Sequence, residues 1–344
     1  MKRKDVAIAG EMRISLDVAV AQLHGASECG NCVLRLIARA AAMRKSNRAA
    51  IIEEGMYLRV HKTIVDAVLG VVEQTSHFGT LPLVSVTNRF IECVNAPGRG
   101  LVLEEAALLI AAHAHHDLDV ESALRSIDQI GQMVNTGELA SLRSVLFDQY
   151  RLRGDTDTYY DPNNSYLDSV LTRRTGIPIT LSVLTIAVGR RASIPLSGVG
   201  LPGHFLVGVL DHPGMYLDPF AGGKVLDTGG CIDLFHQLHG TGASFEESML
   251  TPVDSVSIVD RMLNNLLAIF RSEGDTRSQL WVARLRSYLP GASISQQADV
   301  AVVLANGGQF DAAAEIFDSL AHVADDDTAG ALLAARDRMR SRMN

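Results

Sequence analysis

Cysteine is scarce. Cys29, Cys32, Cys93 and Cys231 are the only four in 344 residues. So few and so scattered, they exclude a disulfide framework. Cys29 and Cys32 form a C-x-x-C with His24 just ahead of it. A zinc site usually takes four N/S ligands, and no second pair is visible. A thioredoxin-like redox pair wants a preceding strand, which is missing. The reading left is two small half-buried residues at a helix start, in line with the burial preference of cysteine. Basic charge is also short. With 31 Lys and Arg against 39 Asp and Glu, the net charge is −8. Neutralising phosphates needs an excess of cations on one face, so a general nucleic-acid binder is excluded. Long apolar runs are absent too. Met1-Lys2-Arg3-Lys4 is basic like a signal n-region, but Asp5, Glu11, Arg13 and Asp17 interrupt any apolar run after it. No run is long enough to span a bilayer, so the expectation is a cytoplasmic protein without a membrane partner.

What is present describes an ordinary globular chain, 47% hydrophobic and 20% charged. Its length allows two or three structural units. Residues 1–100 read as a helical extension, with apolar residues at helical spacing through Val33–Met43 and Tyr57–Val72. The basic face of Arg35, Arg39, Arg44 and Lys45 reads as a solvated helix face, since Glu53 and Glu54 dilute its charge. Ala96-Pro97-Gly98-Arg99-Gly100 is turn chemistry and a boundary. Next come helices at Glu104–Ala114, Val120–Val134 with Asp119 as N-cap, and Leu139–Tyr150. His113, His115 and His116 suggest a metal, but adjacent histidines cannot share a helix face. They read instead as a surface cluster at a helix end, and no metal site is expected.

The stretch 159–220 organises the rest. It opens with a loop rich in Asp, Asn and Pro around Asp161-Pro162-Asn163-Asn164-Ser165. Asn164 or Ser165 then caps a helix Tyr166–Arg174. Gly176-Ile177-Pro178 starts a helix to about Ala192 that is apolar nearly all round, and therefore buried. Proline is harmless there, because its missing N–H has no helical partner in the first turn. Leu196–Val199 reads as extended, Leu201-Pro202-Gly203 as a bend, and Phe205–Leu210 with Met215–Asp218 as a hairpin. Beyond Gly222-Gly223 the chain reads as helical again. Gly308, Phe310, Ala313 and Phe317 fall at the spacing of the second half of a tetratricopeptide repeat.

Three segments together carry a resemblance: Asp161-Pro162-Asn163-Asn164-Ser165-Tyr166-Leu167, Arg173-Arg174-Thr175-Gly176-Ile177-Pro178-Ile179-Thr180-Leu181-Ser182, and Gly198–Val207 with the Asp218-Pro219-Phe220 turn. In this order they resemble the SirB-type transglutaminase-like core family. The resemblance implies an α+β fold. Its papain-like core has a small antiparallel sheet and a buried central helix, within residues 101–255. An N-terminal helical region (1–100) and a TPR-like helical tail (256–344) flank it. In that superfamily a cysteine at a helix N-terminus is activated by a histidine, which an aspartate orients. Carried over, the histidine is His204 and the aspartate Asp218. The thiol position is occupied by Pro178, which has no nucleophile.

Three readings are open. The site is a non-catalytic pocket kept for binding, or another nucleophile (Cys231, Thr180 or Ser182) stands in, or His204 with Asp218 works as a general acid or base. Asp161, Asn163 and Pro178 would contact the ligand. The missing thiol favours a binding or regulatory protein with a protein partner, or a small-molecule or peptide ligand, and no cofactor. The alternative is an acid/base or acyl-transfer enzyme of a biosynthetic pathway.

Overall fold

Pro178 fixes where the central helix begins, and that helix organises the core around it. The structure is a computed structural model that describes residues 80–96 and 100–343. The C-x-x-C of Cys29 and Cys32 and the helices read between Val33 and Val72 lie outside the described residues. From Leu81 onward the chain forms one compact unit. It opens with α1 (Thr80–Val94), α2 (Leu103–Ala114) and α3 (Val120–Gln132). Asp119 caps α3 as its position predicts, accepting from the Ser122 N–H. The next helix, α4 (Leu139–Arg143), widens into a π-turn at Ser144–Gln149.

A short strand β1 (Arg153–Gly154) then pairs in parallel with β2 (Thr175–Gly176). Between them lie a 3₁₀ turn (Pro162–Asn164) and α5 (Leu167–Arg173). The cap expected of Asn164 or Ser165 is not made. Tyr166 is the N-cap of α5 and has no side-chain bond, because Asn164 is buried and turned to the preceding loop. There its Nδ2 donates to Asp155 and to the Thr158 carbonyl. Asp161 does the capping one turn earlier, accepting from the Asn163 N–H.

The central helix α6 (Pro178–Arg191) buries all but three of its residues, Ile186, Arg190 and Arg191. Burying side chains such as Ile179, Leu181, Val183 and Leu184 stabilises by roughly 1.5–3 kcal/mol each. This apolar surface touches α2, α3 and the sheet strands β3 (Leu196–Val199) and β4 (Leu206–Val209). The sheet also contains β5 (Tyr216–Asp218), β6 (Lys224–Leu226) and β7 (Pro252–Val253), in the order β6-β5-β4-β3-β7, all antiparallel. The hairpin β4–β5 is the one read from sequence, with Val207 opposite Leu217. β6 and β7 escape a sequence reading: with three and two residues, neither is long enough to show an alternation. Pro252 is tolerated because β7 is an edge strand.

Between β6 and β7 comes α7 (Thr228–His239); after the sheet come α8 (Ser255–Glu273), α9 (Thr276–Ser287), α10 (Ile294–Asn306), α11 (Phe310–Ala321) and α12 (Asp326–Ser341). The main core runs from Phe90 through α6 to α8 and α9, where Ile258, Met262, Leu266, Val282 and Leu289 join it. A separate core, with Val300, Leu304, Ala313 and Phe317, holds α10–α12 together. The architecture is α+β, as the sequence implies. Among the described residues, no helix is long and apolar enough to cross a membrane.

Candidate functional site

The two segments that carry His204 and Asp218 meet at the mouth of the sheet. Gly203 has φ +71°, a left-handed turn that glycine takes without strain, and this turn sets His204 just before β4. A ring nitrogen of His239 holds the turn by donating to the Pro202 carbonyl at 3.0 Å. Asp218 is the last residue of β5. His204 Nε2 lies 3.0 Å from Asp218 Oδ1, and both residues are buried, 8% and 4% exposed. A carboxylate only accepts, so Nε2 carries the proton and Nδ1 carries the lone pair of the neutral ring. The same Oδ1 accepts the N–H groups of Phe220 (3.0 Å) and Ala221 (3.1 Å), which lock the carboxylate in place. His204 is thereby oriented by a fixed anion, the arrangement that suits either gripping a polar ligand or moving a proton.

Pro178 is the first residue of α6 and is buried. One turn on, Ser182 Oγ reaches toward the Phe205 carbonyl at 3.5 Å. The helix face that carries Pro178 is therefore turned to the segment that carries His204. Neither described thiol hydrogen-bonds His204. Cys231 lies in an apolar cluster with Val199, Leu201, Leu206 and Phe235; burial, then the charges of Asp227 and Asp218, push its thiol up to about 12. Cys93 faces the Val102 carbonyl, and burial followed by Glu105 pushes it up to about 11. Neither thiol has the electropositive, open surroundings that make a thiolate. Thr180 is fully buried, and its hydroxyl has no hydrogen-bond partner among the described residues.

Asp161 and Asn163 spend their hydrogen bonds on each other and on α5. Asp161 accepts from Asn163 Nδ2 at 2.9 Å and pairs with Arg173 at 3.2 Å; Asn163 Oδ1 accepts from Ser169. Asp155 anchors the same loop, taking the N–H groups of Asp157 and Thr158 and the Thr158 hydroxyl. Of the three histidines read as a surface cluster, His116 is exposed and His115 half-buried, but His113 in α2 departs from that reading. His113 is buried at 5% exposure, stacked on Trp281, with Nδ1–H donating to the Leu109 carbonyl and Nε2 accepting from Thr87. Burial is the main force pulling its pKa down to about 4. His115 pairs instead with Asp168 at 2.6 Å.

Sequence reasoning missed the wall of the site. The Phe220 ring meets the His204 ring edge-on at 5.8 Å, Tyr159 meets Phe220 at 6.1 Å, and Tyr160 meets Tyr159 at 5.3 Å. Aromatic rings thus lead from the exposed Tyr160 to the buried pair. It also missed Arg261 of α8, whose Nη2 donates to the carbonyls of His204 (2.6 Å) and Leu201 (3.0 Å). The signal was present. Its helical neighbours Ser257, Ile258, Asn264 and Asn265 include no carboxylate to pair with it.

His204, oriented by Asp218, thus stands just ahead of β4, a strand against which α6 packs. A family model described as the transglutaminase-like superfamily matches residues 105–264, so the chain carries a transglutaminase-like domain. A UPF0162 protein of Pseudomonas aeruginosa is 34% identical over 188 residues, 52% of this chain and 68% of that protein. The chain belongs to the UPF0162 protein family. A UPF0162 protein of Xylella fastidiosa is 36% identical over 183 residues, 49% of this chain. F-box only protein 21 of Mus musculus is 36% identical over 163 residues, 44% of this chain and 25% of its own length. The chain spans about 65% of the length of the Xylella relatives it matches. No solved structure matches it.

Proposed function

We propose that this chain is a SirB-type binding protein whose pocket grips a small molecule or peptide without covalent chemistry. His204, oriented by Asp218, is the polar grip. Pro178 and the Asp161–Asn163 loop are lining elements, and the TPR-like helices α10–α12 offer a second surface to a protein partner. In this reading the protein acts in the cytoplasm as a regulator. One observation carries the proposal: the helix face turned to the His204 segment begins with a proline instead of a thiol. The inert settings of Cys93 and Cys231 support it further, because a relocated nucleophile needs contact with its base.

A second reading draws on the hydrogen bonding of His204. Nε2 is engaged by Asp218, and Nδ1 bonds no described residue, which leaves a lone pair for acid/base work. One experiment separates the two. Metabolites and short peptides are screened by thermal shift against wild type and His204→Gln, and each hit is then analysed by mass spectrometry. Hits that stabilise wild type only, and are recovered chemically unchanged, support binding. A hit converted by wild type and left intact by His204→Gln establishes the acid/base enzyme instead.

A further inference from the structure

Arg261 sits beside the pair with an unspent charge. Nη2 is satisfied by the two carbonyls, and Nη1 and Nε bond no described residue. The guanidinium is half-buried, and burial lowers its proton affinity, but an arginine stays charged. Among the described residues no carboxylate pairs with it. Other arginines of this fold do otherwise, Arg191 holding Glu104 and Asp128, Arg286 holding Asp260 and Asp299, and Arg336 holding Asp318, although Arg143 resembles Arg261 in donating to a carbonyl, that of Gly223. Taking a cation partly out of water without a counter-charge is costly, and two neutral carbonyls offset only part of that cost.

Its Nη1 lies close to the backbone of Gly200. Position 200 is glycine, and a Cβ there would stand 3.0 Å from Arg261 Nη1. Across from it, Tyr159 feels the guanidinium charge and belongs to the aromatic wall that ends on His204. Arg261 also stacks over the Phe205 ring at 5.3 Å, which holds the plane of the fork. With Nη2 spent on the two carbonyls, the Nε and Nη1 N–H groups remain as charged donors that a carboxylate oxygen can accept from.

We propose that the pocket takes a small carboxylate, whose charged end is held by Arg261 and whose planar or apolar part lies on the Tyr159–Phe220 wall. This rests on the binding reading given above and names the class of ligand. Phosphate esters would be drawn by the same charge, but the short aromatic approach and the single cation favour a singly charged, flat ligand.

The test uses the full-length chain and two probes that differ only in charge, hippurate and its neutral amide. Binding is followed through the His204 ring resonances. The expected result is saturable binding of hippurate at millimolar concentrations, with the amide weaker by about tenfold or more. Arg261→Gln brings hippurate down to the level of the amide. Arg261→Lys keeps a charge without the fork and falls between, and it serves where the glutamine variant does not fold. Equal affinity for acid and amide, or unchanged hippurate binding in both variants, overturns the carboxylate assignment. Thermal-shift hits that still depend on His204 would then leave pocket binding standing. Absence of any hippurate shift also overturns it.

Discussion

At the scale of single residues, the first turn of α6 carries Pro178 where the family resemblance puts a thiol. Replacing Pro178 by cysteine puts a thiol on the first turn of a helix and on the face turned to His204, two features that depress a thiol pKa. Pro178→Cys therefore reacts with iodoacetamide at pH 7 well before Cys93 or Cys231, and adding His204→Ala slows that reaction by about tenfold or more. Peptide mapping of the alkylated protein checks both statements. His113 offers a second residue-level test. Its folded pKa, about 4, is below the unfolded value near 6.5. The unfolded chain thus binds more protons between these values, so stability is full above pH 6.5 and is lost as pH falls toward 4. Between pH 7 and pH 5 the loss from this residue amounts to about 2 kcal/mol, readable by urea unfolding of wild type against His113→Gln.

At the scale of elements, the short parallel pair β1–β2 positions the aromatic wall. The Gly154 N–H donates to the Phe220 carbonyl, and a Cβ at Gly154 would come within 2.5 Å of the Phe220 ring. Gly154→Ala must push that ring away, and the ring rests against His204. Overpacking of this kind costs about 1–3 kcal/mol. The expected outcome is a lowered urea midpoint together with a changed His204 ring resonance, while Gly242→Ala, where a Cβ has open space and the backbone is ordinary, leaves that resonance in place. These elements also explain what the sequence hid. The Asn164–Ser165 cap failed because Asn164 is consumed by Asp155 and Thr158. His113 looked external because periodicity alone does not tell which flank of an apolar helix meets another helix.

At the scale of the whole molecule, α8 and α9 belong to the same hydrophobic core as α6, whereas α10–α12 close over their own. A chain stopped after Val253 loses Ile258, Val259, Met262, Leu263, Leu266 and Leu267 from that core. At roughly 1.5–3 kcal/mol each, the loss is comparable to the entire stability of a domain, and this chain does not fold. A chain stopped after Gly291 keeps the main core and the His204–Asp218 pair. It melts cooperatively by circular dichroism and retains the His204 ring signals.

The sequence by itself determined the elements that local rules and pattern can carry. These are the buried helix from Pro178, the β4–β5 hairpin, the Asp119 cap, and His204 and Asp218 at strand tips. Each has a signal within a few residues, in its apolar spacing, its turn chemistry or its motif. Only the tertiary structure decided which charges lack a counter-charge among the described residues and which thiols are blocked. Cys231 is silenced by neighbours from β3, β4 and β6 as well as from its own helix α7. Arg261 reaches His204 from a helix begun after the sheet. Such facts depend on residues far apart in the chain, where desolvation and long-range contact, and no local rule, set the chemistry.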